Sequence, residues 1–229
     1  MAGRAGELSL AADGAQLYPS LAKELIPAIS EIYQNLEPSP GHRLDQLGVL
    51  GPQLTYGSAI GDVVASHIGP DARPVRAIAF DKSPGANWSL GWHQDRTICV
   101  AEQHDFDGFG PWTRKKDAIH VEPPFSLIEK MLTVRIHLDQ IRLNNAPLQI
   151  ALGSQRCGRI EEGLVSEVVA GCEVHFCEAD PGDVWLYSTS ILHRSDAVCG
   201  TGEQLRRHVL QIDYCSASLP APLKWGLTA

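Results

Sequence analysis

No stretch of this 229-residue chain approaches the roughly 18 consecutive apolar residues of a membrane-spanning helix. The opening residues, Met1-Ala-Gly-Arg-Ala-Gly-Glu7, hold no apolar core of the kind that marks a secretory leader. Basic clusters are scarce as well. The formal charge is −8 and the longest basic run is Arg114-Lys115-Lys116, which argues against a nucleic-acid partner, since phosphate binding needs clustered Lys and Arg. The six cysteines (Cys99, Cys157, Cys172, Cys177, Cys199 and Cys215) form no Cys-x-x-Cys pair, so a structural zinc knot is not expected. Without a leader, free thiols in a reducing, cytoplasmic setting are expected in place of disulfides. Internal repeats, low-complexity tracts and linkers are missing too, and the length suits one domain.

What is present reads as helices followed by strands. Leu17, Leu21, Leu25, Ile29, Ile32 and Leu36 recur at helical spacing, predicting a helix from Leu17 to Leu36 kinked at Pro27. A second helix is expected from Gly57 to Ile68, stopped by Gly69-Pro70. From Val75 the texture changes to short β-like runs: 75–80, 88–93, 97–101, 131–138, 148–152, 167–176, 183–187 and 208–214. The order predicts a mainly β domain over 1–229. Its helical flank (1–70) packs on one sheet of an antiparallel jelly roll (75–215). Residues 102–122, with Gly108-Phe-Gly-Pro-Trp112, are expected to form a long loop serving as a lid.

Three His-x-acid matches occur: His93-Gln-Asp95, His120-Val-Glu122 and His137-Leu-Asp139. Roughly one arises by chance in a chain with nine histidines and 27 acidic residues in 229, so context must separate them. On a strand, residues i and i+2 face the same way, so an imidazole and a carboxylate can take adjacent positions on a metal. A second His from another strand completes a facial triad and leaves sites for ligands. Glu122 precedes Pro123-Pro124 and is read as loop. His93 stands between β-rich runs, where its plainer role is a satisfied core histidine. Downstream, Pro181-Gly182-Asp183 opens a strand that leads to His193, and fourteen positions later Arg207 enters another strand with Arg206 beside it. An arginine inside a barrel needs an anion, and its planar fork matches a carboxylate.

These residues resemble the phytanoyl-CoA dioxygenase family of Fe(II)/2-oxoglutarate oxygenases, in particular its short bacterial members. The resemblance runs from about Val75 to Tyr214. It is carried by Asn87-Trp-Ser-Leu-Gly-Trp-His-Gln-Asp-Arg-Thr97, by Asn144-Asn-Ala-Pro-Leu-Gln-Ile-Ala-Leu-Gly-Ser-Gln-Arg156, by Gly182-Asp183, by His193 with Ser195, and by the strand after Arg206-Arg207. It implies a double-stranded β-helix with iron on His93, Asp95 and His193. It also implies 2-oxoglutarate on Arg207, with Ser195 assisting and Arg206 pointing away. Gln155 and Ala146 depart from the family's usual His and Gly, at positions that are not ligands. The carboxylate of Asp95, where family halogenases carry Gly or Ala, speaks for hydroxylation or a related oxidation.

The strand Leu132-Thr-Val-Arg-Ile-His-Leu-Asp139 alternates strictly. If its polar face lines the barrel, Arg135 holds an anionic group of 2-oxoglutarate or substrate, with His137 near the substrate; if that face is solvated, it is ordinary surface. Asn87 and Lys82 are candidate pocket groups, and Trp88, Trp92, Phe109 and Trp112 candidate apolar walls. The activity implied by the resemblance consumes dioxygen and a small-molecule substrate, in a monomer or homodimer. A non-redox, cupin-like metal- or small-molecule-binding jelly roll is the alternative, as is a silent family member. The former leaves Arg207 and the spacing to His193 without a role.

Overall fold

The computed structural model describes residues 8–37, 39–82, 87–115, 118–198 and 207–227. Among them are thirteen strands: β1 (Ala15–Tyr18), β2 (Gly41–Leu44), β3 (Arg73–Lys82), β4 (Leu90–His93), β5 (Ile98–Val100), β6 (Trp112–Lys115), β7 (Ala118–Val121), β8 (Leu132–His137), β9 (Leu148–Ala151), β10 (Val174–Cys177), β11 (Val184–Ser188), β12 (His193–Ser195) and β13 (Arg207–Cys215). A six-stranded sheet has the order β1-β11-β8-β13-β3-β2, a four-stranded sheet the order β10-β9-β12-β4, and a three-stranded sheet the order β5-β7-β6. The pairings are antiparallel. The architecture is the expected jelly roll.

Strand alternation explains the layering. On β8, Leu132, Val134 and Ile136 join Leu210, Ile212 and Tyr214 of β13 in one apolar cluster with Ile29, Leu54, Ile60 and Val64 of the helical layer. The intervening residues Thr133, Arg135 and His137 face the other way and are buried too. That inner face meets the four-stranded sheet, with Trp185 and Tyr187 of β11 packed on Leu148 and Ile150 of β9 and on Ile191. The large sheet is therefore covered on both sides, apolar toward the helices and polar toward the barrel. The Tyr214 hydroxyl donates to the Leu54 carbonyl at 2.9 Å and ties sheet to helices.

Several local expectations change. The predicted long first helix is a strand, Ala15–Tyr18, then a single 3-10 turn, then a helix over Ile26–Gln34. Pro27 sits in that helix's first turn, where a proline's missing N–H costs nothing, so it starts the helix and does not kink it. The second helix, Ala59–Ile68, stands as expected, capped by the Ser58 hydroxyl and closed by Gly69. The flank 1–70 also supplies the two edge strands of the large sheet, β1 and β2. The run 167–176 is split into a helix, Val165–Ala170, and β10. The expected lid loop contains the β6–β7 hairpin, whose apolar side packs with Val75, Ile98 and Met131. Cys99, Cys157, Cys172, Cys177 and Cys215 are free thiols; Cys199 and Arg206 lie outside the described residues. Among the described residues, no helix is long and apolar enough to cross a membrane.

Gly182 forms the tight turn into β11. Its φ is +91°, and a Cβ there would lie 2.9 Å from the Lys23 Cα. Asp183 locks the same corner by accepting from the Ser20 and Asp180 amides, each at 2.8 Å. Gly182→Ala is expected to lower stability by about 1–3 kcal/mol in urea unfolding; a loss under about 0.5 kcal/mol would show that the turn relaxes freely.

Candidate metal centre and its cavity

His93 and His193 are direct cross-strand partners on β4 and β12, with ring centroids 4.3 Å apart. Each ring is pinned in the same way. His93 Nδ1 lies 2.7 Å from the Gly91 carbonyl and His193 Nδ1 lies 3.0 Å from the Ile191 carbonyl. A carbonyl can only accept, so Nδ1 carries a proton in both rings, which leaves Nε2 as the atom available to a metal. Burial, reinforced by His93, pushes His193 down to about 4, which keeps it neutral at ordinary pH. The β12–β4 register slips between His193 and Ser195, a bulge at the site that turns the strand end toward the cavity.

Asp95 lies two residues beyond His93, past the end of β4. Gln94, between them, is buried and fully bonded. Its amide donates to the Gly158 and Ser190 carbonyls and its oxygen accepts from the Ile160 amide. That anchor fixes the connection and leaves Asp95 on the His93 side. Asp95 Oδ2 accepts from Arg76 Nη2 at 3.0 Å, and Arg76 Nε donates to Asp213 Oδ2 at 2.5 Å. Thr133 donates to the other Asp213 oxygen at 3.0 Å. Burial would favour a protonated Asp95, but the Arg76 guanidinium wins and holds it at about 2. Ligand atoms of His93, Asp95 and His193 all lie within 4.8 Å of one another. Two imidazole nitrogens and one ionised carboxylate this close together fit a divalent first-row metal.

These three residues line a cavity of about 310 Å³ together with Arg135, Ser195 and Arg207. Arg207 is buried; it donates to the Ala146 carbonyl, and its Nη2 lies 3.2 Å from the Ser195 hydroxyl. Ala146 adopts φ +55°, the left-handed conformation that suits the glycine usual at this point of the resembling family. Burial and Arg135 lower Arg207 to about 9. Arg135 donates to Gln211 at 2.7 Å, and its buried Nε has no partner. Lys82 has no exposed surface and reaches Ser195 Oγ (3.2 Å) and the Asp196 carbonyl. Among the described residues, no carboxylate bonds Arg135, Arg207 or Lys82. Buried cations left this way are costly unless an anion answers them.

The other expected site residues fall elsewhere. Trp92, next to His93 on its strand, faces the opposite side and packs with Leu192, Ile160 and Val165. Trp112 and Phe109 belong to the apolar cluster under the hairpin. The Asn87 side chain is spent on both backbone groups of Val198 and does not line the cavity. Trp88 does line it. His137 is buried beside Arg135 and Arg207, with both ring nitrogens unbonded, but it is not in the lining. Asp139 accepts from His208, and Glu122 pairs with Arg159, so neither competing His-x-acid pair assembles a centre. Arg76 was not anticipated. The signal was available, since it interrupts the apolar run Val75–Phe80 as Arg207 opens another.

No protein-family model matches the chain, and no curated protein matches it in sequence. In fold it is similar to EctD from S. alaskensis, at TM-score 0.68 and 15% identity over 93% of this chain and 77% of that one. AviO1 from Streptomyces viridochromogenes aligns at TM-score 0.61 and 17% identity, covering 93% and 95%. HygX from Streptomyces hygroscopicus, with nickel and 2-oxoglutarate bound, aligns at 0.60 and 13%, covering 94% and 86%. Other structures of these proteins hold Fe, or 2-oxoglutarate with 5-hydroxyectoine, in EctD, and hygromycin B in HygX. At these identities the likeness is one of fold.

Metal content measured on purified variants tests the centre. His93→Ala, Asp95→Ala and His193→Ala are each expected to abolish stoichiometric binding of Fe(II) or Ni(II). Arg76→Met should weaken it about 10–100-fold by releasing Asp95. His137→Ala should leave it unchanged, and loss of metal in that variant would contradict the assignment.

Proposed function

We propose that the chain is a single-domain, Fe(II)- and 2-oxoglutarate-dependent oxygenase of the phytanoyl-CoA dioxygenase type that oxidises a small molecule. One observation carries the reading: a two-histidine, one-carboxylate cluster shares its cavity with Arg207, a buried cation that no described carboxylate bonds. A binding jelly roll without redox chemistry has no use for that second feature. The metal and 2-oxoglutarate in the EctD and HygX structures support the same reading.

In this proposal His93, Asp95 and His193 hold iron. Bound there with 2-oxoglutarate, iron supplies dioxygen activation coupled to oxidative decarboxylation of the keto acid to succinate and CO2, with one oxygen atom going to substrate. The chain's part is positioning. Arg207 and Ser195 grip the distal carboxylate of 2-oxoglutarate, and Arg135 and Lys82 add positive charge beside them. Arg76 keeps Asp95 ionised and aimed. Ile78, Phe80 and Trp88 give the cavity an apolar wall, with Leu90 exposed at its edge. The free thiols fit a reducing, cytoplasmic setting.

Two measurements follow. Anaerobic addition of Fe(II) and 2-oxoglutarate is expected to develop a weak visible charge-transfer band, absent from a protein that only binds metal. Arg207→Ala should raise the 2-oxoglutarate requirement about 10–100-fold, the worth of a charge-assisted fork, with metal content kept; Arg207→Lys should rescue only part. An unchanged requirement would remove Arg207 from the cofactor site.

Lys82 adds a pH dependence. Burial, with Arg207 and Arg135 beside it, pushes its ammonium down to about 7. An anion bound nearby raises that value, so binding takes up a proton above neutrality. Affinity for 2-oxoglutarate is therefore highest at and below pH about 7 and falls as pH rises further, by linkage. Calorimetric titration of the Ni(II) protein across that range should show this limb, and Lys82→Met should flatten it. A limb of the same slope in Lys82→Met would assign it to another group.

A further inference from the structure

The cavity wall carries more positive charge than 2-oxoglutarate answers. Its described lining includes Arg43, Arg76, Lys115, Arg135 and Arg207, against Asp95 as the single carboxylate. Arg76 is satisfied by Asp95 and Asp213. On the reading above, one carboxylate of 2-oxoglutarate goes to the metal and the other to Arg207 with its neighbour Arg135. Arg43 and Lys115 remain, on the edge strand β2 and the hairpin strand β6.

Arg43 is built into the wall. Its residue pairs with Ile78 of β3, which also lines the cavity, and its Nε lies 3.1 Å from His120 Nε2. His120 stands on β7 with no exposed surface. Because Arg43 can only donate, the ring must accept at Nε2 and so is neutral. Burial, with Arg43 and Arg76 nearby, pushes it down to about 4. A neutral imidazole therefore fixes the inner edge of the guanidinium without cancelling its charge. The two terminal nitrogens of Arg43 make no hydrogen bond or ion pair with a described residue. A half-buried fork held in this way matches a carboxylate in bidentate fashion. Lys115, exposed at the rim, adds attraction for the same sign of charge.

We propose that Arg43, positioned by His120, recognises an anionic group on the substrate, which is a small carboxylic acid. Its carbon body lies along Ile78, Phe80 and Trp88. The size follows from the volume. About 310 Å³ is near the lower end for ligand pockets, and the space is shared with 2-oxoglutarate. The inference rests on the oxygenase reading, which supplies the first anion and leaves Arg43 for the second.

The test uses full-length protein loaded with Ni(II) and saturated with 2-oxoglutarate. A panel of carboxylic and amino acids of about four to ten carbons, sized for such a pocket, is titrated in, each beside its primary amide. At least one acid is expected to bind one to one, with 2-oxoglutarate retained, about 10-fold or more tighter than its amide. Arg43→Gln should erase that preference while 2-oxoglutarate affinity stays within about 2-fold, and Arg43→Lys should restore part of it. His120→Gln keeps an acceptor and should keep the preference; His120→Leu should lose it. The proposal is overturned if acids and amides bind alike, if no acid binds, if acids bind only by displacing 2-oxoglutarate, or if the preference survives in Arg43→Gln. Failure of 2-oxoglutarate itself to bind the wild-type protein would take down the oxygenase reading and this inference together, whereas the other failures leave that reading standing.

Discussion

A buried guanidinium between two carboxylates is the interaction on which the centre depends. Arg76 comes from β3, Asp213 from β13, and the two are register partners in the large sheet. The same side chain reaches out of the sheet to Asp95. Strand pairing and ligand placement are thus one network. Isolating Arg76 or Asp213 inside the barrel would cost several kcal/mol, and the network avoids that by leaving neither charge alone. Thr133 on β8 satisfies the remaining Asp213 oxygen and brings a third strand into the arrangement. The β13–β3 register shifts between Asp213 and Tyr214, next to this ion pair.

Around that network the cavity separates charge by kind. The metal side carries one ionised carboxylate and imidazoles whose Nδ1 atoms are tied to carbonyls two residues back. The lining elsewhere combines apolar side chains with Arg43, Arg135 and Arg207, while His120 and His137, both outside the lining, are kept from protonating chiefly by burial and do not offset those arginines. Burying unanswered cations is costly to folding, which is the physical ground for the proposal that the wall takes anions.

Much of the architecture was legible because its causes are local. Strict alternation on Leu132–His137 separates the face toward the helices from the face toward the barrel, and both faces are buried as a two-sided sheet requires. The placement of Arg207 inside the barrel was readable, because the strand it opens runs into a core. Other features depended on contacts that sequence spacing does not show. The helical periodicity of Leu17, Leu21 and Leu25 marks partly buried positions, but it is met by a strand, a turn and a short helix packed against different neighbours. Trp92 could have been placed correctly, since the neighbour of an inward residue on a strand faces outward. Arg43 and His120 meet across 77 positions, through a hairpin that lay hidden in an expected loop.

The most direct test of the account is anomalous diffraction at the iron edge, on crystals grown without oxygen in Fe(II) and 2-oxoglutarate. The account predicts one iron peak among His93 Nε2, Asp95 and His193 Nε2, with a 2-oxoglutarate carboxylate on the Arg207 guanidinium and Arg76 still bridging Asp95 and Asp213. Iron bound away from these three side chains, or 2-oxoglutarate bound without contact to Arg207, would contradict it.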